Sequence, residues 1–177
     1  MLPKLNKKAE TVPFTSKFFP QQILVLSCGE NFMPMGYWTV ISKEPFRFLL
    51  CMQVGNYTLN LLREHQEAAL HFFDWEERDW IDHAGHLSGE TSNKTEELGR
   101  TLIPAEKLTH TKLIDGAEIV FETVLSEELT GLSGTFALFV MDVVHVHGNK
   151  PPAKRKPVFY QSVKDFATIG ETWKSNR

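Results

Sequence analysis

Apolar positions along this chain come in short runs, not long helical stripes. Ile23-Leu24-Val25-Leu26 is a continuous apolar run ending at Cys28-Gly29, the pattern of a strand buried on both faces. A loop over 30–34 follows, and then an apolar run over 36–42, a turn at Lys43-Glu44-Pro45 and a second run from Phe46 to Val54 predict two paired strands. The spacing of Leu59, Leu62, Gln66 and Ala69 predicts a helix from Leu59 to about Glu67, with Thr58 as its cap. Ala69 to Phe73 reads as another strand, broken at Asp74. Asp74-Trp75-Glu76-Glu77 has the form of a capping box ahead of a short helix whose apolar face is Trp80, Ile81 and Ala84. Ser92 to Leu98 predicts a third helix, ended by Gly99, and Pro104 closes that unit. Ile119 to Leu125 alternates with polar residues, and Thr135 to His147 is rich in Val and Phe, so the two predict a hairpin. A basic, proline-rich stretch, Lys150 to Pro157, leads to a last strand at Val158 to Tyr160.

Strands outnumber helices and tight turns link many of them. The expected fold is therefore mainly β with inserted short helices, an antiparallel barrel closed or nearly so. The length of 177 residues suits one domain. Residues 1–20, broken by Pro3, Pro13 and Pro20, are expected to form an extended arm whose Phe14, Phe18 and Phe19 dock on the body or on a partner. The domain proper is expected over 21–170, with a tail over 171–177. No apolar run reaches the ~18–20 residues that span a bilayer, and the N-terminus lacks the apolar stretch of a secretory signal. A cytoplasmic location without membrane attachment is the expectation. Cys28 and Cys51 lie in apolar runs and are expected to be reduced thiols. The net charge of −3 argues against a nucleic-acid partner. Candidate chemistry gathers at the start of the first helix, where backbone N–H groups beside a hydroxyl make a ready phosphate site, next to an aromatic slot.

Three segments resemble one known family. Asn31-Phe32-Met33, Gly36-Tyr37-Trp38-Thr39, Ser42, Glu44-Pro45 and a helix opened by Tyr57-Thr58 make the first; Leu87-Ser88-Gly89 followed by Asn93-Lys94 makes the second. Lys156-Pro157-Val158-Phe159-Tyr160 with Phe166 and Gly170 makes the third. Together they resemble the flavin reductase-like proteins with an FMN-binding split β-barrel, across roughly residues 20 to 170. The resemblance implies FMN as cofactor, NADH or NADPH as reductant, a small-molecule or protein electron acceptor, and a homodimer with flavin near the interface. It implies that Asn31, Tyr37 and Trp38 lie near the ring and ribityl chain, Ser42, Tyr57 and Thr58 near the phosphate, and Lys94 beside them as the cationic contact. Met33, Thr39, Ser88 and Phe166 fall in the matched segments and are expected to contact the cofactor as well. No catalytic residue is expected, because the flavin itself carries the hydride chemistry. The chain departs from the family in two places: Gly134-Thr135-Phe136 stands where a His is frequent, and Tyr37 stands where a tryptophan flanks the ring. A flavoredoxin-like electron carrier without its own nicotinamide site, or a barrel used as a structural or sensing module, are the alternative functions.

Two histidine pairs invite a metal reading. His145 and His147 would share one face of a strand, and His83 and His86 are near neighbours on a helix. With no cysteine or carboxylate pair at matching spacing, both pairs are read as surface or hydrogen-bonded histidines and no metal is expected. Lys150, Lys154, Arg155 and Lys156 are read as a solvated loop.

Overall fold

Two strands bury every side chain they carry, Leu24–Cys28 (β2) and Glu67–Phe72 (β6), and they pair with each other in the middle of the molecule. A computed structural model describes them together with residues 12–132, 134–148, 155–162 and 165–170. In chain order the other elements are β1 (Gln21–Gln22), β3 (Asn31–Met35), β4 (Trp38–Lys43), β5 (Phe46–Gln53), α1 (Tyr57–His65), a 3-10 turn (Trp75–Glu77), α2 (Arg78–His86) and α3 (Lys94–Glu97). They are followed by β7 (Leu102–Ile103), β8 (Leu113–Ile114), β9 (Ile119–Leu129), β10 (Phe136–His147), β11 (Phe159–Tyr160) and β12 (Phe166–Ala167). Seven strands form one curled sheet in the order β3-β2-β6-β9-β10-β5-β4, every pairing antiparallel. Smaller sheets, β1-β11-β12 and β7-β8, flank it. The chain has the expected fold, an antiparallel split β-barrel with short inserted helices.

The continuous apolar run of β2 has a direct cause. Leu24 and Leu26 point into one core with Phe48, Leu50, Leu70 and Phe139, and α1 adds Leu59 and Leu62 to it. Ile23 and Val25 point the other way, into a second core with Phe32, Phe73, Ile81 and Ala84 beneath α2. Both faces are covered, so alternation disappears. Each fully buried Leu or Phe stabilises by about 1.5–3 kcal/mol.

Several boundaries differ from those the pattern predicts. The stretch expected as a loop over 30–34 is strand β3, which pairs with β2 across a tight turn with Gly29 at φ 61°. Pro34 argues for a loop by removing a donor, but β3 is the edge of the sheet and needs none on its outer side. Helix α1 begins at Tyr57 and is capped by Asn56, not by Thr58. It ends at His65, with Gln66 left-handed at φ 55°, and β6 starts two residues before the expected Ala69. Asp74 makes no capping bond through its side chain; the 3-10 turn comes first and α2 starts at Arg78. The third helix is a single turn, Lys94–Glu97, capped by Asn93. Of the expected arm, residues 1–11 lie outside the described residues, as do the tail 171–177 and positions 150–154 of the basic loop. Phe14 and Phe18 are exposed, while Phe19 meets Tyr160 edge-on at 6.1 Å between ring centres. Among the described residues no helix is long and apolar enough to cross a membrane.

Two buried carboxylates of the sheet are held by backbone donors. Glu67 accepts from the backbone N–H groups of Thr109, His110 and Thr111 at 3.1, 2.7 and 2.7 Å. Glu122 accepts from those of Glu106 and Lys107 at 2.9 and 2.6 Å. Burial raises both carboxyl pKa values, but these donors outweigh it and hold both below the usual range. Both cysteines are free, and burial pushes the Cys28 thiol up to about 12.

His71 is wholly buried on β6. Its Nδ1 faces the Val25 carbonyl at 3.1 Å and its Nε2 accepts from the Ile114 N–H at 2.9 Å, so the neutral ring satisfies both nitrogens. Desolvation outweighs the carbonyl contacts and lowers its pKa to about 4. The unfolded chain therefore binds this proton at higher pH than the folded one. The resulting stability is fully present above pH ~6.5 and is lost as pH falls toward 4, by about 3 kcal/mol. Denaturant midpoints measured from pH 7 to 4 should fall across this window, while the His71 ring resonances stay those of neutral imidazole down to about pH 5.

Candidate functional site

The start of α1 is built by two asparagines from different parts of the chain. Asn56 accepts from the Thr58 N–H at 2.9 Å and fixes the first turn, which contains no acidic side chain to offset its partial positive charge. Thr58 is buried in that turn, and its hydroxyl accepts from Asn31 Nδ2 at 2.8 Å. The Asn31 oxygen is buried without a partner. Turning the amide by 180° keeps the bond to Thr58, because a hydroxyl both donates and accepts, and presents two N–H donors where the oxygen lies. Gly89 closes over this amide so tightly that an added Cβ would fall 2.0 Å from Asn31 Oδ1.

Lys94 forms the opposite wall. Its ammonium is buried and donates to the carbonyls of Phe32 on β3 and Ala84 on α2, at 2.9 and 3.1 Å. Among the described residues these take two of its three protons. Desolvation lowers its pKa, so an anion placed beside it would be favoured by restoring a counter-charge.

Asn56, Thr58, Gly89 and Lys94 line a polar cavity of about 240 Å³, together with Met33, Tyr57, Ser88 and the exposed Glu90. Asn31 borders an adjoining recess that shares Tyr57, Gly89 and Lys94 with this cavity. Pro34 and Gly85 separate the polar cavity from a mainly apolar one of about 260 Å³, lined by Ile23, Tyr37, Ile81, Tyr160 and Phe166. The pair together falls within the ~300–1,000 Å³ usual for small-molecule sites. One end suits an anion and the other a flat apolar group.

The expected site residues thus divide. Asn31, Met33, Tyr57, Thr58, Ser88 and Lys94 come together around the start of α1, and Tyr37 and Phe166 line the adjoining apolar cavity. Trp38, Thr39 and Ser42 line neither cavity. Trp38 donates to the Gln22 carbonyl at 2.9 Å and packs on Phe48 and Phe72, while Thr39 and Ser42 follow it on the edge strand β4. The two departures noted in the sequence are neighbours: Tyr37 meets Phe136 edge-on at 5.5 Å, and both border a third, open apolar hollow with Cys51 and Leu138. Sequence reasoning gave no role in the site to Asn56, or to Gly89 beyond its place in a matched segment. An Asn just ahead of a helical spacing is a cap signal in its own right, whereas nothing local to Gly89 announces Asn31.

Gly89→Ala should push the Asn31 amide off Thr58 and lower stability by about 1–3 kcal/mol in urea denaturation. Gly134→Ala, where an added Cβ meets nothing within 4 Å, should be close to neutral.

Known structures share this architecture. The chain superposes on an FMN-binding protein from Thermus thermophilus with a TM-score of 0.82 at 21% identity, covering 96% of this chain and 98% of that one. Flavoredoxin from Methanosarcina acetivorans gives 0.82 at 17% identity, covering 95% and 96%. Nitrilotriacetate monooxygenase component B from Bacillus cereus gives 0.79 at 18%, covering 90% and 89%. Such identities establish the fold alone. No curated protein matches the sequence significantly. The sequence does match the flavin reductase like domain over residues 15–169, nearly its whole length, and the chain belongs to that family.

Proposed function

We propose that the protein is an FMN-dependent oxidoreductase that accepts hydride from NADH or NADPH and passes electrons to a small-molecule or protein acceptor. The observation that carries this reading is the junction of a polar, anion-suited cavity at the start of α1 with an apolar aromatic one. FMN has that shape, a phosphate at one end of a flexible chain and a flat ring at the other. When bound, it supplies the hydride and electron-transfer chemistry. Thr58, the first turn of α1, Ser88 and Lys94 would hold the phosphate. Asn31, with its orphaned polar atom, would meet a polar group along the chain toward the ring, and Tyr37 and Phe166 would flank the ring.

A homodimer is part of the proposal. Phe14 is 71% and Phe18 58% exposed, and Val40 and Ile41 lie exposed on the edge strand β4, an apolar surface that a second copy would cover. Sedimentation should return twice the chain mass.

The function is tested by reconstituting the purified protein with FMN or FAD and adding NADH or NADPH without oxygen. Stoichiometric FMN binding with bleaching of the flavin band is expected. Tight FMN binding without bleaching would leave a flavoredoxin-like carrier, and failure to bind any flavin would overturn the reading. Thr58→Asp sharpens the site assignment, because a carboxylate still accepts from Asn31 yet repels a phosphate. FMN affinity should fall roughly ten- to a hundredfold in Thr58→Asp, corresponding to about 1.5–3 kcal/mol, and should be kept in Thr58→Ser. Thermal melting checks that both variants are folded.

A further inference from the structure

We propose that Glu106, His145 and His147 form a binding site for a zinc ion on the face of the sheet at the C-terminal end of β10. One ligand atom from each lies within 4.8 Å of the others, and no other such group occurs among the described residues. His145 Nε2 is 3.4 Å from one Glu106 oxygen and His147 Nδ1 is 3.9 Å from the other. A tetrahedral zinc with bonds of about 2.0–2.2 Å sets its ligand atoms about 3.4 Å apart. Small side-chain movements therefore close the site. Glu106 is the most exposed of the three, at 61%, and is free to make them.

The strand register explains the pairing of the histidines. A bulge between Val143 and His145 resets β10 against β9, placing His145 opposite Glu122 and His147 opposite Val120, so both imidazoles stand on one face with ring centres 4.5 Å apart. The carboxylate that the sequence did not pair with them comes from a loop brought in by tertiary structure.

Glu122 then acts as the positioning residue. It is fully buried and bonds His147 Nε2 at 2.5 Å while accepting from the backbone N–H of Glu106. One carboxylate thus holds two of the three proposed ligands. Since it also accepts from the Lys107 N–H, it offers acceptor oxygens, the His147 proton resides on Nε2, and the Nδ1 lone pair is left for a metal. A carboxylate behind a metal-binding histidine is the usual second support of a zinc site. Two imidazoles and one carboxylate leave a fourth position for water or an outside ligand, and the ion would tie the loop at 106–107 to the end of β10.

Protein without a histidine tag should be titrated with Zn²⁺ by calorimetry and with Co²⁺ by visible absorption. One ion per chain is expected, with the intense bands of a four-coordinate site for Co²⁺ and a melting temperature that rises with Zn²⁺. Glu106→Gln, at an exposed position, and His145→Ala should each abolish stoichiometric binding. Glu122→Gln should weaken it about 10- to 100-fold, and the His83→Ala/His86→Ala double variant should leave it intact. Metal-free melting curves establish that each variant is folded. The proposal is overturned if the native chain takes up no ion, or if binding persists in a folded Glu106→Gln, His145→Ala combination.

Discussion

A single buried ammonium holds the walls of the cleft in place. Lys94 opens the one-turn helix α3, yet its side chain runs inward to the carbonyls of β3 and α2. It thereby joins α3 to the neighbouring α2 and to β3, which lies 62 residues earlier. β3 in turn carries Asn31, whose bond to Thr58 ties the same wall to the start of α1. The cost of burying the charge is visible in the lowered pKa of Lys94, and it is offset only in part by two carbonyl dipoles. An anion beside the third proton would complete that compensation. Asn31, with its unpartnered oxygen, is a second buried polar group on the same strand as the Phe32 carbonyl that Lys94 bonds.

The same device, a buried charge satisfied by backbone, recurs with opposite sign on the far side of β6. Glu67 and Glu122 hold the irregular segment at 106–111 against the sheet through five backbone N–H bonds. That segment lacks strand partners of its own, and the two carboxylates replace the missing ladder. Breaking either would leave a buried charge uncompensated, which costs more than the loss of a surface pair. The proposed metal site rests on this arrangement, because Glu122 orients both the loop and His147.

Much of this architecture is legible in the sequence where the cause is local. The run at Leu24–Leu26 reads as a doubly covered strand because both faces meet apolar neighbours, and the turn at Lys43–Pro45 marks the β4–β5 hairpin. The family motifs led to Thr58, Ser88 and Lys94, which the fold does bring to one cavity. What was illegible depends on distant partners. Pro34 hides β3 because only the strand order shows it to be an edge. The role of Thr58 as an acceptor, not a cap, depends on Asn31, which lies 27 residues earlier. The burial of the Lys94 ammonium is not visible until the carbonyls at 32 and 84 are placed beside it, and His145 and His147 lack a third ligand until the loop delivers Glu106.

Phosphorus NMR of the reconstituted protein reads whether the start of α1 and Lys94 receive the phosphate of FMN as proposed. A free phosphate monoester titrates with a second pKa of about 6. Held between a helix N-terminus and a buried ammonium, its dianion is favoured and the resonance should stay constant from pH ~8 to ~5. A bound-FMN resonance that titrates near pH ~6, as in free solution, would place the phosphate in solvent and contradict the account.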